Sequence, residues 1–571
     1  MESNVAIECP PPIWCETVQE LCESLPYYRS YQSGLYASNG IALALLLNAN
    51  EVDRESFNWD VIITHGGGSM AIVKTPGEKT YRYRLHQSQN DKDSTVAPLI
   101  ASYHAGKPIP VILGSQVNKS VIRNKYPFSV LGWYVITHIW SEYDLGTVMG
   151  VEKDPCEQGY HVRKKMRLQY IQRQPYKKWW CLDACPIHAD RQFIHMHCRT
   201  QSRLCRQCMK VSPLVYEDGF ICMNEKCRAF WMLAVANDVF QAPSEDMNFN
   251  SCFVYSRQPT SVENNFQEPF SLFPALNSDS IKYVRGLSVD ITRGIHCLKC
   301  GKLSSREAWF GWQCRNCKEW IELEFPALGL FDILDPLERV YTGLRIESGL
   351  LTLNAKSGIQ FAERTNAQNK TSIHYYLPNL GEITHFLSDA GEKKRADKIF
   401  EAYQQRGPNQ VNFKRYAFHL TKVQRRFLGN QFQFSSGELY DHTLATDTVS
   451  MENSPQPIKE ALAFIQDRIG QASFNQVSSL LYMRGQRMDW HDDGEEVVEG
   501  PVATFTMGSS AQMWFREKPK YNKSNPPSVL KLVLSHGDVL VMWNKAIQRN
   551  YQHCIKPEGF RIAATARRMK L

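Results

Sequence analysis

His491 and Asp493 stand two residues apart near the end of this chain, His553 follows them, and Arg561 and Arg567 come next. Two imidazoles and one carboxylate form the facial set that holds Fe(II) and leaves its remaining positions open. A downstream arginine adds a planar fork that grips a carboxylate through paired hydrogen bonds, so a dicarboxylate co-substrate suits the pattern. Residues at x and x+2 point to one face of a strand, where both can reach one ion. Cysteines make a second constellation. Cys205-x2-Cys208 pairs with Cys222-x4-Cys227, and Cys297-x2-Cys300 with Cys314-x2-Cys317, thirteen residues separating the knuckles in each case. Two such turns close a tetrahedron of thiolates, as structural zinc requires, and leave no position open for catalysis. Cys181, Cys185, His188, His195, His197 and Cys198 are candidates for a third site.

Elements must carry these residues. Val539, Leu540, Val541, Met542 and Trp543, led in by Gly537-Asp538, read as a buried strand that brings the chain towards His553. In the last strand Arg561, Ala563, Thr565 and Arg567 share one face, with Ile562, Ala564 and Ala566 on the other. An inward arginine in a small β-barrel is costly unless an anion meets it. Ala396, Ile399, Phe400 and Tyr403 mark one amphipathic helix; Ile458, Leu462, Ile465 and Ile469 mark another, capped near Ser454. Both are expected to flank the C-terminal β-roll.

Two basic stretches point to nucleic acid. In 161–170, Arg163, Lys165 and Arg167 fall on one strand face, which suits a phosphate backbone or, equally, an ordinary solvated face. Between 413 and 440, Arg415 and Tyr416 open a run of arginines and aromatics able to hold a strand and stack a base, or to seal the sheet. Residues 234–280, rich in Asn, Ser and Pro, read as a long loop between the zinc pairs.

Residues 383–571 resemble the AlkB-like Fe(II)/2-oxoglutarate dioxygenases. The order Phe474-Asn475, Tyr482, Gly485, His491-x-Asp493-x-Glu495, Thr506-Met507-Gly508-Ser509, the 537–542 strand and Arg561-x5-Arg567 carries the likeness. It implies that His491, Asp493 and His553 bind iron, that Arg561 holds the distal carboxylate of 2-oxoglutarate with support from Arg567 and Tyr482, and that Glu495 lies near a substrate base. Leu480 and Ala563 stand where many members carry asparagine. The reaction implied consumes 2-oxoglutarate and O2 to hydroxylate a C–H bond, commonly an N-methyl group of a nucleobase that then leaves as formaldehyde.

Residues 27–180 are similar to the SRA (YDG) domain, a PUA-like β-barrel that reads modified cytosine in DNA. The matching stretches are 40–45, His65-Gly66-Gly67-Gly68, 106–112, 131–136 and Trp179-Trp180. Short strands are expected at 59–64, 110–114 and 131–140, while 43–47 fits strand or helix. Glu51 and Ile63 fall near the places of that domain's aromatic pocket, with Asp53, Trp59 and Asp60 as substitutes.

Size and composition set the outer bounds. The chain has 571 residues, 43% hydrophobic, a net charge of +8 and 17 cysteines. That length accommodates several domains. The aliphatic run at 41–47 is too short to span a bilayer, and the start resembles no signal peptide. Cysteine-rich chains without a secretory start favour metal over disulfides. The reading is a multidomain, mainly β (α+β) protein. It comprises a PUA-like reader at 1–180, a zinc-ribbon-like region at 181–320, a β-rich connector at 321–382, and a double-stranded β-helix at 383–571. Its expected function is Fe(II)- and 2-oxoglutarate-dependent demethylation of a base in DNA, in the nucleus or also the cytoplasm, with structural zinc. RNA or a protein side chain as substrate, or a non-catalytic zinc-containing chromatin adaptor, are the alternatives.

Overall fold

A computed structural model describes residues 10–48, 54–58, 60–68, 70–74, 81–85, 87–114, 126–144, 161–180, 200–236, 239–244, 247–283, 294–323, 327–333, 349–354, 357–378, 381–418, 427–439, 447–470, 473–519 and 525–570. The third cysteine–histidine group, together with Glu51, Asp53 and Trp59, lies outside the described residues. The chain forms two compact units, Met1–Asn277 with Ile295–Ser305, and Ser278–Gly294 with Arg306–Leu571.

In the first unit an eight-stranded sheet runs in the order Leu35–Ser38, Ile41–Leu47, Ile109–Gly114, Phe128–Asp144, His161–Tyr170, Val61–His65, Ser56–Phe57, and Trp14–Cys15 pairs with Phe128–Asp144. Ile41–Leu47 and Ile109–Gly114 run parallel. Their near-continuous apolar sequence suits strands covered on both faces, and the ambiguous run at 43–47 is therefore strand. Trp133, Tyr134, Leu168 and Trp180 sit in the core beside it. Asp60 is buried and bonds to Lys178 and Arg257, and Ile63 is fully buried, so neither offers itself as an open base pocket.

The basic stripe on His161–Tyr170 turns inward, correcting the expectation of a phosphate-facing surface. Arg163, Lys165 and Arg167 are all fully buried. Arg163 donates to both carboxylate oxygens of Asp144 (2.8 and 2.9 Å). Lys165 donates to the Arg54 carbonyl (2.7 Å) and lies 3.8 Å from Glu142. Arg167 donates to the carbonyls of Phe253 and Ser256 and to Thr137 and Gln169. Burial, aided by Arg257, pushes its pKa down to about 9. The physical reason lies in the 234–280 stretch, which is no loose linker. It contributes the helices Ser251–Tyr255 and Ser261–Asn264, buries Phe253 and Leu272 completely, and lays its carbonyls over the arginine.

In the second unit two sheets face each other. The nine-stranded one runs Gln360–Thr365, Thr371–Leu377, Gly381–Phe386, Val539–Met542, Val498–Gly508, Arg561–Met569, Gln476–Tyr482, Phe432–Gly437, Thr448–Val449. The five-stranded one runs Gly349–Leu353, Ser528–Leu534, Ala511–Glu517, Tyr551–Pro557, Met488–His491. Strands from 349–377, expected as a connector, thus extend both sheets. Tyr482, Val502, Met542 and Ala563 meet Met513, Phe515, Leu532 and Ile555 between the sheets. Ile562, Ala564 and Ala566 point the other way, into a core shared with Phe400, Tyr403, Ile458 and Ile465 of the helices Ala390–Gln404 and Gln456–Ile469. Asp389 and Glu392 form a capping box that starts the first of these helices.

In the 413–440 stretch, of which 419–426 and 440 lie outside the described residues, the described part follows the second of the two readings. Phe413, Phe432 and Phe434 are core residues, Tyr416 is buried, and buried Arg415 donates to the carbonyls of Gly429 (2.7 Å) and Arg306 (3.2 Å). Sealing the sheet wins over base stacking there, because strand Phe432–Gly437 turns its aromatics to the helices. Phe418 stays exposed. Among the described residues, no helix is long and apolar enough to cross a membrane.

Candidate metal centre

His491 ends the strand Met488–His491 and stands opposite His553 of Tyr551–Pro557. Their ring centroids are 4.2 Å apart. Asp493 follows the strand end, and its Oδ2 lies 3.6 Å from His553 Nε2. One donor atom from each of the three lies within 4.8 Å of the others, close enough to share an ion. His491 Nδ1 is 2.7 Å from the Asp489 carbonyl, so that nitrogen carries the proton and Nε2 keeps its lone pair for a metal.

The local charges prepare these groups for coordination. Burial works to raise the Asp493 carboxyl, but Arg567, His553 and His491 outweigh it and hold it well below the usual carboxylate range. Burial, reinforced by His491 and opposed by Asp493, pushes His553 down to about 3, so its ring is neutral at physiological pH. A carboxylate and neutral imidazoles are the forms that ligate metal.

Arg567 bonds directly to this centre, donating Nη2 to Asp493 (2.6 Å) and Nη1 to Gln476 (3.3 Å). It therefore orients the aspartate, where the sequence suggested support for a co-substrate. Arg561, fully buried on the same strand face, donates Nη2 to Thr506 (3.0 Å). Its Nε and Nη1 have no hydrogen-bond acceptor. The Tyr482 ring lies 5.4 Å from the guanidinium carbon. Burial lowers Arg561 to about 10, with Tyr482 pulling the other way, and raises Tyr482 to about 12. A buried donor left unpaired costs about 1–3 kcal/mol. Two on one cation, beside the small side chain of Ala563, suit a carboxylate acceptor. The residues present therefore suit both an Fe(II) ion and a dicarboxylate. Half-buried Glu495 lies two residues beyond Asp493.

Some contributors have no role assigned from sequence. Asn475 pins the end of the last strand, its side chain donating to the Met569 carbonyl (3.0 Å) and accepting from its N–H (2.6 Å). Thr506 and Gln476 hold the two arginines. Gln548, buried at 3% exposure, accepts from the Asp493 N–H (3.0 Å). Nothing in the polar helix Lys545–Asn550 marks that residue in sequence, because its partner lies 55 residues away.

In the first unit Cys205, Cys208, Cys222 and Cys227 bring their sulfurs within 4.8 Å of one another. The knuckles are shaped by backbone bonds, Met209 N–H to the Cys205 carbonyl and Trp231 N–H to that of Cys222, both 2.8 Å. Cys297–Cys300 and Cys314–Cys317 form knuckles of the same kind, with Gly301 N–H on the Cys297 carbonyl and Lys318 N–H on that of Cys314. These cysteine groups are compatible with zinc.

Residues 380–567 match the model of the 2OG-Fe(II) oxygenase superfamily. No curated protein matches the chain. Among solved structures, a modification-dependent TagI restriction endonuclease is similar over 30% of this chain and 52% of its own, at 19% identity and a TM-score of 0.22. The chain thus spans about half the length of that enzyme. The structure of OsALKBH1 is similar over 34% of this chain and 100% of its own, at 14% identity and a TM-score of 0.21. The C-terminal region is a 2OG-Fe(II) oxygenase domain, an oxidoreductase whose family uses Fe(II), 2-oxoglutarate and O2.

Proposed function

We propose that the chain removes methyl groups from a nucleobase, with DNA as substrate, and that His491, Asp493 and His553 hold its iron. The reading rests on one observation above all: the aspartate of a close His–Asp–His group is held by Arg567, and on the same strand Arg561 carries two buried donors without acceptors. Bound Fe(II) supplies O2 activation coupled to decarboxylation of 2-oxoglutarate. The balanced reaction takes N–CH3, 2-oxoglutarate and O2 to N–H, formaldehyde, succinate and CO2.

The chain's own residues do the positioning. Arg561 and Tyr482 receive the distal carboxylate of the co-substrate, and Thr506 fixes the angle of the guanidinium. Arg567 keeps Asp493 ionised and turned towards the ion. The nucleobase assignment draws on the AlkB-like order of motifs. The SRA likeness of 27–180 makes the eight-stranded N-terminal sheet the reader in this proposal, with its base contact elsewhere than at the buried Asp60 and Ile63, and zinc at Cys205, Cys208, Cys222 and Cys227 braces that unit.

The test incubates the protein with Fe(II), 2-oxoglutarate and oligonucleotides bearing single N-methyl marks, as duplex DNA, single-stranded DNA and RNA. Mass spectrometry should count loss of a methylated nucleoside in DNA matched by succinate and formaldehyde, abolished by His491→Ala. Demethylation confined to RNA would replace the substrate. Absence of succinate under every condition would refute the enzyme.

A further inference from the structure

The short helix Lys545–Asn550 touches the loop that carries Asp493 at two places and reaches it through Lys518 at a third. Its Gln548 carboxamide accepts the Asp493 N–H (3.0 Å), while its own Nε2 donates to Met542 Sδ (3.2 Å). Lys545 Nζ donates to the Glu496 carbonyl (3.0 Å). The Asn550 carbonyl accepts from Lys518 N–H (2.8 Å), and the Lys518 ammonium pairs with Asp492 (2.9 Å). The same helix runs directly into Tyr551–Pro557, the strand that bears His553. One segment of the chain therefore sets both the carboxylate and the second imidazole of the triad.

These tethers differ in weight. The lysine contacts are solvent-exposed or half-buried, and such contacts are worth little. Gln548 is 3% exposed, its oxygen meets a buried N–H, and a Cβ on Gly494 would lie 3.3 Å from the Gln548 Cβ. We infer that Gln548 is a positioning residue for the metal centre: it fixes the Asp493 backbone so that carboxylate and His553 converge on one ion. This rests on the reading of the triad as a metal site.

Mn(II) is the probe, because a hard ion takes the mixed imidazole–carboxylate site and ignores thiolates. The full chain, its cysteines loaded with zinc, is titrated with Mn(II) by electron paramagnetic resonance. Gln548→Met keeps the volume and removes the acceptor, and should weaken Mn(II) binding about 10–100-fold and broaden the bound-ion signal. Lys545→Ala should change the affinity less than about 3-fold. Met542→Leu frees the other end of the carboxamide and should give an intermediate loss, so a Gln548 variant that fails to fold does not end the test. Unchanged affinity and line shape in folded Gln548→Met, or equal losses in Lys545→Ala, would overturn the inference. Wild-type protein that binds no Mn(II) sensitive to His491→Ala would instead sink the metal-site reading itself.

Discussion

Arg561 and Arg167 look alike in sequence, each an arginine at alternate spacing on a strand that turned out to be buried. Their surroundings separate them. Arg167 finds the carbonyls of Phe253 and Ser256, so its charge is met from within the protein. Arg561 donates to Thr506, lies beside Tyr482, and leaves its Nε and Nη1 without an acceptor. The first arrangement is structural, and the second awaits an anion. Sequence spacing could not tell them apart, because the carbonyls that cover Arg167 are 86 and 89 residues away and are backbone atoms. The triad was legible because its chemistry depends on residue type and order alone. For Arg561 the consequence is specific. Arg561→Lys keeps the charge and loses the fork, so two parallel bonds to a carboxylate become one. The KM for 2-oxoglutarate should rise at least about 10-fold, corresponding to some 1.4 kcal/mol or more, with kcat far less affected. Steady-state succinate formation at varied 2-oxoglutarate checks this. A fall in kcat at constant KM would move Arg561 out of the co-substrate pocket.

At the scale of elements, periodicity located the two helices and the alternation of Arg561–Met569, since one buried face dictates each pattern. It missed the strands of 349–377 as members of the sheets: Gly349–Leu353 pairs with distant Ser528–Leu534, and the local hairpins of 360–386 join the large sheet only through Gly381–Phe386, whose partner Val539–Met542 lies far along the chain. It also read 234–280 as a loop from composition, whereas two short helices there complete the core around Phe253. The long strand Phe128–Asp144 shows what that cover does. His138 packs its ring 5.2 Å from Phe253. Burial first, and Arg167 second, push it down to about 4. Its folded value thus lies below the ordinary histidine value near 6.5. As pH falls, the unfolded chain takes up the proton first, so the stability due to neutral His138 is complete above about 6.5 and is lost between there and about 4. One proton sets an upper slope of about 1.4 kcal/mol per pH unit. Buried His65, also lowered by burial, acts in the same direction, so the comparison must be with a variant. Calorimetric unfolding of His138→Gln should show a shallower acid decline of the first unit than wild type. Identical pH slopes would mean the ring is already hydrated.

For the whole molecule, a net charge of +8 suggests a basic surface, yet Arg54, Arg163, Lys165, Arg167, Arg306, Arg415, Arg561 and Arg567 are all largely or wholly buried. Charge counted along the sequence therefore overstates what faces a polyanion. The two units have separate cores, and the cysteine group of 205–227 belongs to one of them. Its influence reaches well past the sulfurs. Ile221 and Phe230, each next to or near a thiol, join Trp231 in a cluster with Val61, Ile63 and Trp140 of the large sheet. A region this small holds little core of its own, so metal binding there is folding free energy. Replacing Cys205 and Cys208 by serine removes two of four thiolates. The first unit should then unfold at least about 3 °C lower, a shift of roughly 1 kcal/mol or more for a unit of this size. The transition of the second unit should stay where it is, and uncoupled succinate formation should persist. Calorimetry and succinate assays on the same preparation separate the outcomes. If both transitions fall together, zinc at this group supports the oxygenase as well; if neither moves, the four thiols hold the knuckles without metal.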